Sequence, residues 1–151
     1  MNWMYKGEEM TSIEDFPPST FGFTYRITHI PSGKMYIGKK VLKFTRKAKL
    51  TKKDLVMYEG VQGRKPSYKQ IVKESDWKTY WGSNKVLLEL LKNDPPENFK
   101  REILALAPNK KLLTYEETKA LFIYQVLENP HEFFNDNILG KFFTKDFESQ
   151  K

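Results

Sequence analysis

Apolar and polar positions along the chain mark out a few strong elements joined by polar connections. Residues 23–30 are rich in β-branched and aromatic side chains, Pro31-Ser32-Gly33 supplies turn chemistry, and Met35-Tyr36-Ile37 resumes the pattern until Gly38 interrupts it. This predicts two short strands joined by a tight turn, with Tyr25 and Tyr36 on neighbouring strands. Val86, Leu87, Leu88, Leu90 and Leu91 predict a largely buried helix over about Asn84 to Lys92, with Ser83 placed to cap it. Asp94-Pro95-Pro96 stops that helix, and residues 98–106 read as a third strand. A turn at Pro108-Asn109-Lys110-Lys111 then leads into the most apolar helix, roughly Tyr115 to Leu127, expected to be buried on several sides.

Elsewhere the pattern is weaker. Residues 1–21 are acidic, hold Pro17-Pro18 and show no sustained period, so they read as an N-terminal arm, either anchored on the domain by Trp3, Met4 and Tyr5 or free. From Lys39 to Lys49, Val41, Leu42 and Phe44 can pack while the basic residues face out, which predicts a short helix or turn. Residues 47–76, with Gly60, Gly63 and Pro66, read as a long basic loop, and a connection of that length inside a small domain is usually functional. The expected organisation is one domain over residues 22–145 with an arm before it and a tail at 146–151.

Composition narrows the class. The 151 residues, 39% hydrophobic and 15% aromatic, suit one domain with a modest core. There is no cysteine, which rules out disulfides and thiolate zinc sites and fits a reducing compartment. No apolar run is long enough for a membrane helix and the N-terminus has no leader pattern, so a cytoplasmic protein is expected. The net charge of +7 is localised, because residues 22–76 carry fourteen basic against four acidic side chains. A basic band beside a tyrosine hairpin would concentrate a polyanion, and nucleic acid is the expected partner.

The candidate chemistry lies around that hairpin. Phe23-Thr24-Tyr25, a ten-residue spacer from Arg26 to Met35, Tyr36-Ile37-Gly38, and Arg46 ten residues past Tyr36 together resemble the GIY-YIG nuclease family. Of the first tripeptide only the tyrosine is retained. The segment Asp76-Trp77-Lys78-Thr79-Tyr80-Trp81-Gly82-Ser83 is similar to the equivalent stretch of small bacteriophage-encoded members, including freestanding homing-type nucleases. The resemblance implies an α/β (α+β) sandwich, a three-stranded, mainly antiparallel sheet flanked by helices. It further implies a DNA endonuclease using one Mg²⁺ (or Mn²⁺). Homing members with long recognition sites usually carry a separate DNA-binding domain, and none is expected after this one.

In roles that the resemblance implies, Tyr25 is the general base for water, Tyr36 orients water or phosphate, and Arg46 neutralises developing charge. Glu117 holds the metal, with Glu116 as fallback, and Asn135, or else Asn137, positions the site. From the residues alone Glu117 has a second reading: Thr114-Tyr115-Glu116-Glu117 has capping-box spacing, so Glu117 can simply close a helix start. Lys39, Lys40, Lys43, Lys47 and Lys49 are candidates for phosphate contact, as are Ser83 with the amides at its helix start. Trp77 is either a base-stacking or a core aromatic. His29 reads as a strand-end side chain. The competing function is a catalytically silent nucleic-acid-binding protein of the same fold.

Overall fold

In the computed structural model, which describes residues 1–60, 63 and 66–150, the strand Gly22–His29 (β3) lies inside a five-stranded sheet and is buried except at Arg26 and Thr28. Met35–Val41 (β4) pairs antiparallel on one side of it, setting Tyr25 opposite Gly38. Phe99–Ala107 pairs antiparallel on the other side. The first ten residues are packed on the domain rather than free. Trp3–Tyr5 (β1) and Glu8–Met10 (β2) form a hairpin through Lys6-Gly7, both at positive φ, and β1 adds parallel to the Phe99–Ala107 strand. Trp3 explains why so short a strand docks: its ring is buried and its indole N–H donates to the Trp77 carbonyl at 2.7 Å.

Lys43–Lys49 (β5) follows β4 after Leu42 alone, and Tyr68–Glu74 (β6) pairs with it in a separate antiparallel ribbon. The helix or turn expected at Lys39–Lys49 is therefore strand, and much of the expected loop is the ribbon with a short helix, Lys52–Val56 (α1), at its far end. The glycine-rich part of that loop lies partly outside the described residues. Numbering on, Phe99–Ala107 is β7 and the sheet order is β2-β1-β7-β3-β4. Asn137–Ile138 (β8) and Phe142–Phe143 (β9) make a small C-terminal hairpin.

Two apolar layers sandwich the sheet. Odd-numbered β3 residues Phe23, Tyr25 and Ile27 face a cluster containing Trp3, Phe16, Trp77 and Leu87. A bulge lets β7 follow: Thr24 pairs with Ala105 but Tyr25 with Ile103, so Leu104 is extra and turns toward the other layer. Lys85–Asn93 (α2) covers the first face and Lys110–Ile123 (α3) the second, where Leu121 meets Ile37, Val126, Leu127 and Phe133. Neither helix is buried as fully as its composition predicts, since Val86, Leu88, Phe122 and Ile123 are exposed. The tail at 146–151 is largely a 3-10 helix, Thr144–Gln150, whose Phe147 packs on the second cluster. Among the described residues no helix is long and apolar enough to cross a membrane.

Candidate active site

β4 is the sheet edge, and its free backbone is closed by an unusual device. The Met35 amide donates to Glu132, the Phe134 amide donates back to Met35, and the Asn135 side chain then acts like a strand residue. Its Oδ1 accepts from the Ile37 amide at 3.0 Å and its Nδ2 donates to the Ile37 carbonyl at 2.8 Å. The pairing stops there, and beyond it the edge opens into a polar cleft of about 480 Å³. Tyr36 enters it from the first face of the sheet, Glu117 from α3 on the second, Ser83 to Val86 from the start of α2, and Asp136 and Asn137 from the C-terminal loop.

Two glycines allow the close packing behind it. A Cβ at Gly38 would lie 2.5 Å from the Tyr25 hydroxyl, and one at Gly82 would lie 3.2 Å from the Tyr36 ring. Gly82 also has φ +91°, a conformation side chains disfavour. Tyr25, 1% exposed, thus lies behind Tyr36, whose hydroxyl is 3.3 Å from Ser83 Oγ. Lys39, next along β4, donates to Thr114 Oγ1 at 3.0 Å and reaches Glu117 at 3.9 Å.

Burial pushes the Tyr25 phenol well above its ordinary pKa, helped by the Tyr36 and Tyr80 hydroxyls and by Glu117. Tyr36 is also raised, by burial first, against the Ser83 bond; Tyr80, Glu117 and Asp136 add to the rise. Glu117 is raised by burial, partly offset by Lys39. Burial is the first cause of all three shifts, and the Glu117 carboxylate adds a smaller contribution to both phenols. A half-buried, under-compensated carboxylate facing a polar cleft is the kind of donor that takes Mg²⁺ together with water and phosphate oxygens. Glu117 and Asp136 both line the cleft and are the carboxylates a divalent cation would meet there. Among the described residues no group of three or more His, Cys, Asp or Glu side chains is placed to hold a metal ion, so water and phosphate would have to supply most of its ligands.

The capping reading of Glu117 falls. α3 starts four residues earlier than Thr114, capped by Asn109, whose Oδ1 accepts from the Leu112 amide at 2.9 Å. Thr114 lies inside the helix and bonds back to the Lys110 carbonyl. Likewise Asn84, not Ser83, caps α2, which frees Ser83 for Tyr36. Glu116 pairs with Lys119 along the helix, and Asn137 bonds Asp136 and Gly140 in a turn.

Several expected residues lie elsewhere. Arg46 is exposed on β5, opposite Ile71, and does not line the cleft. Trp77 is fully buried and bonds Glu74 through its indole N–H, so it cannot stack on a base. Asn135 is a positioning residue whose amide is occupied by Ile37. Lys40 is held by Asp76 and lies 4.0 Å over the Tyr80 ring, and Lys43 bonds the Pro18 carbonyl. Lys47 and Lys49 are exposed on the ribbon. His29 bridges Ser32 and Asp94 at 2.7 and 2.6 Å, a turn clip remote from the cleft lining. The sequence reading missed Tyr80, Asn84, Lys85 and Asp136; of these only Asn84 carried a signal, as an N-cap type directly ahead of the apolar period.

A tyrosine hairpin at a sheet edge, with Glu117 facing the same cleft from the helix packed on the sheet, is the arrangement that the sequence resemblance implies for a GIY-YIG nuclease domain. Residues 3–138 match the family described as "Putative endonuclease segE, GIY-YIG domain". The chain belongs to this family of GIY-YIG endonuclease domains. No curated protein and no solved structure matches it.

Proposed function

We propose that the chain is a metal-dependent endonuclease that hydrolyses DNA phosphodiester bonds, with Mg²⁺ or Mn²⁺ held at Glu117. The observation that carries this reading is the convergence of Tyr36, Ser83 and Glu117 on one cleft, with Lys39 reaching Glu117 from beside it and Tyr25 directly behind Tyr36. A bound divalent cation would supply Lewis-acid stabilisation of the phosphoryl and leaving oxygens. The chain's own residues do the rest. Tyr36, anchored by Ser83, presents its hydroxyl to phosphate and attacking water. Tyr25, being neutral and covered, supports the Tyr36 ring, which departs from its expected role as base. Lys39 replaces Arg46 as the cation nearest the reacting phosphate, since its ammonium already lies beside Glu117.

One observation favours the silent binding protein: Arg46, the family's cation by spacing, is outside the cleft. Plasmid nicking with Mg²⁺, with and without chelator, decides between the two. Chelator-sensitive nicking that is slowed in Lys39→Ala is expected; absence of nicking with retained DNA binding would establish the binder.

A further inference from the structure

We infer that the β5–β6 ribbon is a sequence-reading element that enters the major groove of duplex DNA and presents Gln70, Thr45 and Val72 to base edges. This rests on DNA being the substrate. Residues 43–74 hold ten basic and three acidic side chains, while the rest of the chain balances sixteen against sixteen. The ribbon segment alone therefore carries the excess positive charge, and its occupant is a polyanion.

Antiparallel pairing sorts its side chains into two faces. Arg46, Ala48, Lys69 and Ile71 share one, and it is the better covered, because Lys69 bonds Asp54 of α1 at 2.6 Å and Ala48 and Ile71 are half-buried. The other presents the cross-strand pairs Thr45–Val72, Lys47–Gln70 and Lys49–Tyr68, all exposed, Val72 at 68%. Lys43–Glu74 continues this face at the root, where Lys43 is half-buried, so what stands free is the three outer pairs, with Lys47–Gln70 at their centre. A two-stranded ribbon is also of a width the major groove admits.

The face divides by chemistry. Lys47 and Lys49 suit phosphates, which position without reading sequence. Gln70 can bond the N6 and N7 edge of adenine, and the Thr45 and Val72 methyls can meet a thymine methyl. An A·T-containing motif follows. The root of the ribbon is rigid, since Leu42 is buried and Ser75 bonds both Val41 and Leu42, so the reader is fixed to the strand bearing Tyr36 and Lys39. Tyr36 and the position opposite Gln70 are at most about 40 Å apart along the chain, close to one duplex turn of about 34 Å.

The test is selection of a randomised duplex pool by the full chain in chelator, read by sequencing, followed by mapping of Mg²⁺-dependent breaks. The expected result is an enriched A·T-containing motif, with breaks within about one turn of it. Gln70→Thr, which keeps strand propensity, should relax one base pair about tenfold with an unchanged salt slope. Gln70→Glu should shift that same position toward cytosine. Lys47→Ala and Lys49→Ala should weaken all sequences alike. No enriched motif, or the parent motif retained in both Gln70 variants, would overturn the inference. Absence of breaks with the motif intact would instead count against the nuclease reading alone.

Discussion

β4 and β5 are consecutive seven-residue strands separated only by Leu42, yet they have opposite fates. β4 has β3 on one edge, Asn135 on part of the other, and apolar clusters above and below. β5 has a single partner and a mostly exposed set of side chains. A lone two-stranded ribbon is marginal in water, so its strands gain little from burial. The contrast teaches a division of labour: groups that need altered pKa values lie where desolvation is available, and charges that must meet phosphates lie where it is absent.

The sharpest way to break the comparison is Glu117→Gln, which keeps the shape of β4's cleft and removes its charge. Cleavage should fall about a thousandfold, roughly 4 kcal/mol of transition-state stabilisation. Metal-free stability should move the other way. Because the folded pKa of Glu117 is raised, the folded state binds its proton more tightly than the unfolded chain does. The ionised carboxylate therefore destabilises the fold above its ordinary titration range and not below it. Melting curves should show the variant slightly more stable at pH 7, with the gain vanishing by about pH 4.

Next is Asn135→Leu, which leaves two buried backbone groups of Ile37 unpaired. A loss of about 3 kcal/mol is expected, a fall in Tm of about 10 °C. An unchanged Tm would show that the edge closure is dispensable. Smallest in global terms is Asp54→Ala, which removes the clip between α1 and β6. The Lys69 ammonium and the Thr51 amide and hydroxyl hold the Asp54 carboxyl down at about 2. That clip is present above the ordinary carboxyl range and lost as pH falls through about 2. Hydrogen exchange should accelerate in α1, β5 and β6, with β4 unchanged.

Much of β4's half of the comparison was legible beforehand, because Tyr25, the Pro31-Ser32-Gly33 turn and Tyr36 are local signals of a hairpin. β7 was legible for the same reason. The ribbon was not, since its strands carry no buried face and Gly60, Gly63 and Pro66 read as loop. α3 began early because Asn109 outcompeted Thr114 as cap, and that single difference changed Glu117 from a capping residue into a cleft carboxylate. Trp77 and Trp3 hold one another through a contact 74 residues apart in sequence, which no local pattern reports. Arg46 had the family's spacing, but spacing places a residue along the chain and β5 leaves the domain before reaching it.

Single-turnover cleavage of pre-bound duplex by Lys39→Ala, Arg46→Ala and Lys47→Ala, with binding measured separately across a salt series, tests the division of labour directly. Lys39→Ala should slow the bound-state rate by about tenfold to a hundredfold, as expected for loss of one electrostatic contact to the transition state, with affinity nearly unchanged. Arg46→Ala should leave that rate intact, its side chain lying on the ribbon face opposite Lys47 and Gln70, while Lys47→Ala should leave the rate intact, weaken binding and flatten the salt slope by about one unit. The reverse result, a rate collapse in Arg46→Ala and none in Lys39→Ala, would contradict the assignment of chemistry to β4 and of DNA contact to the ribbon.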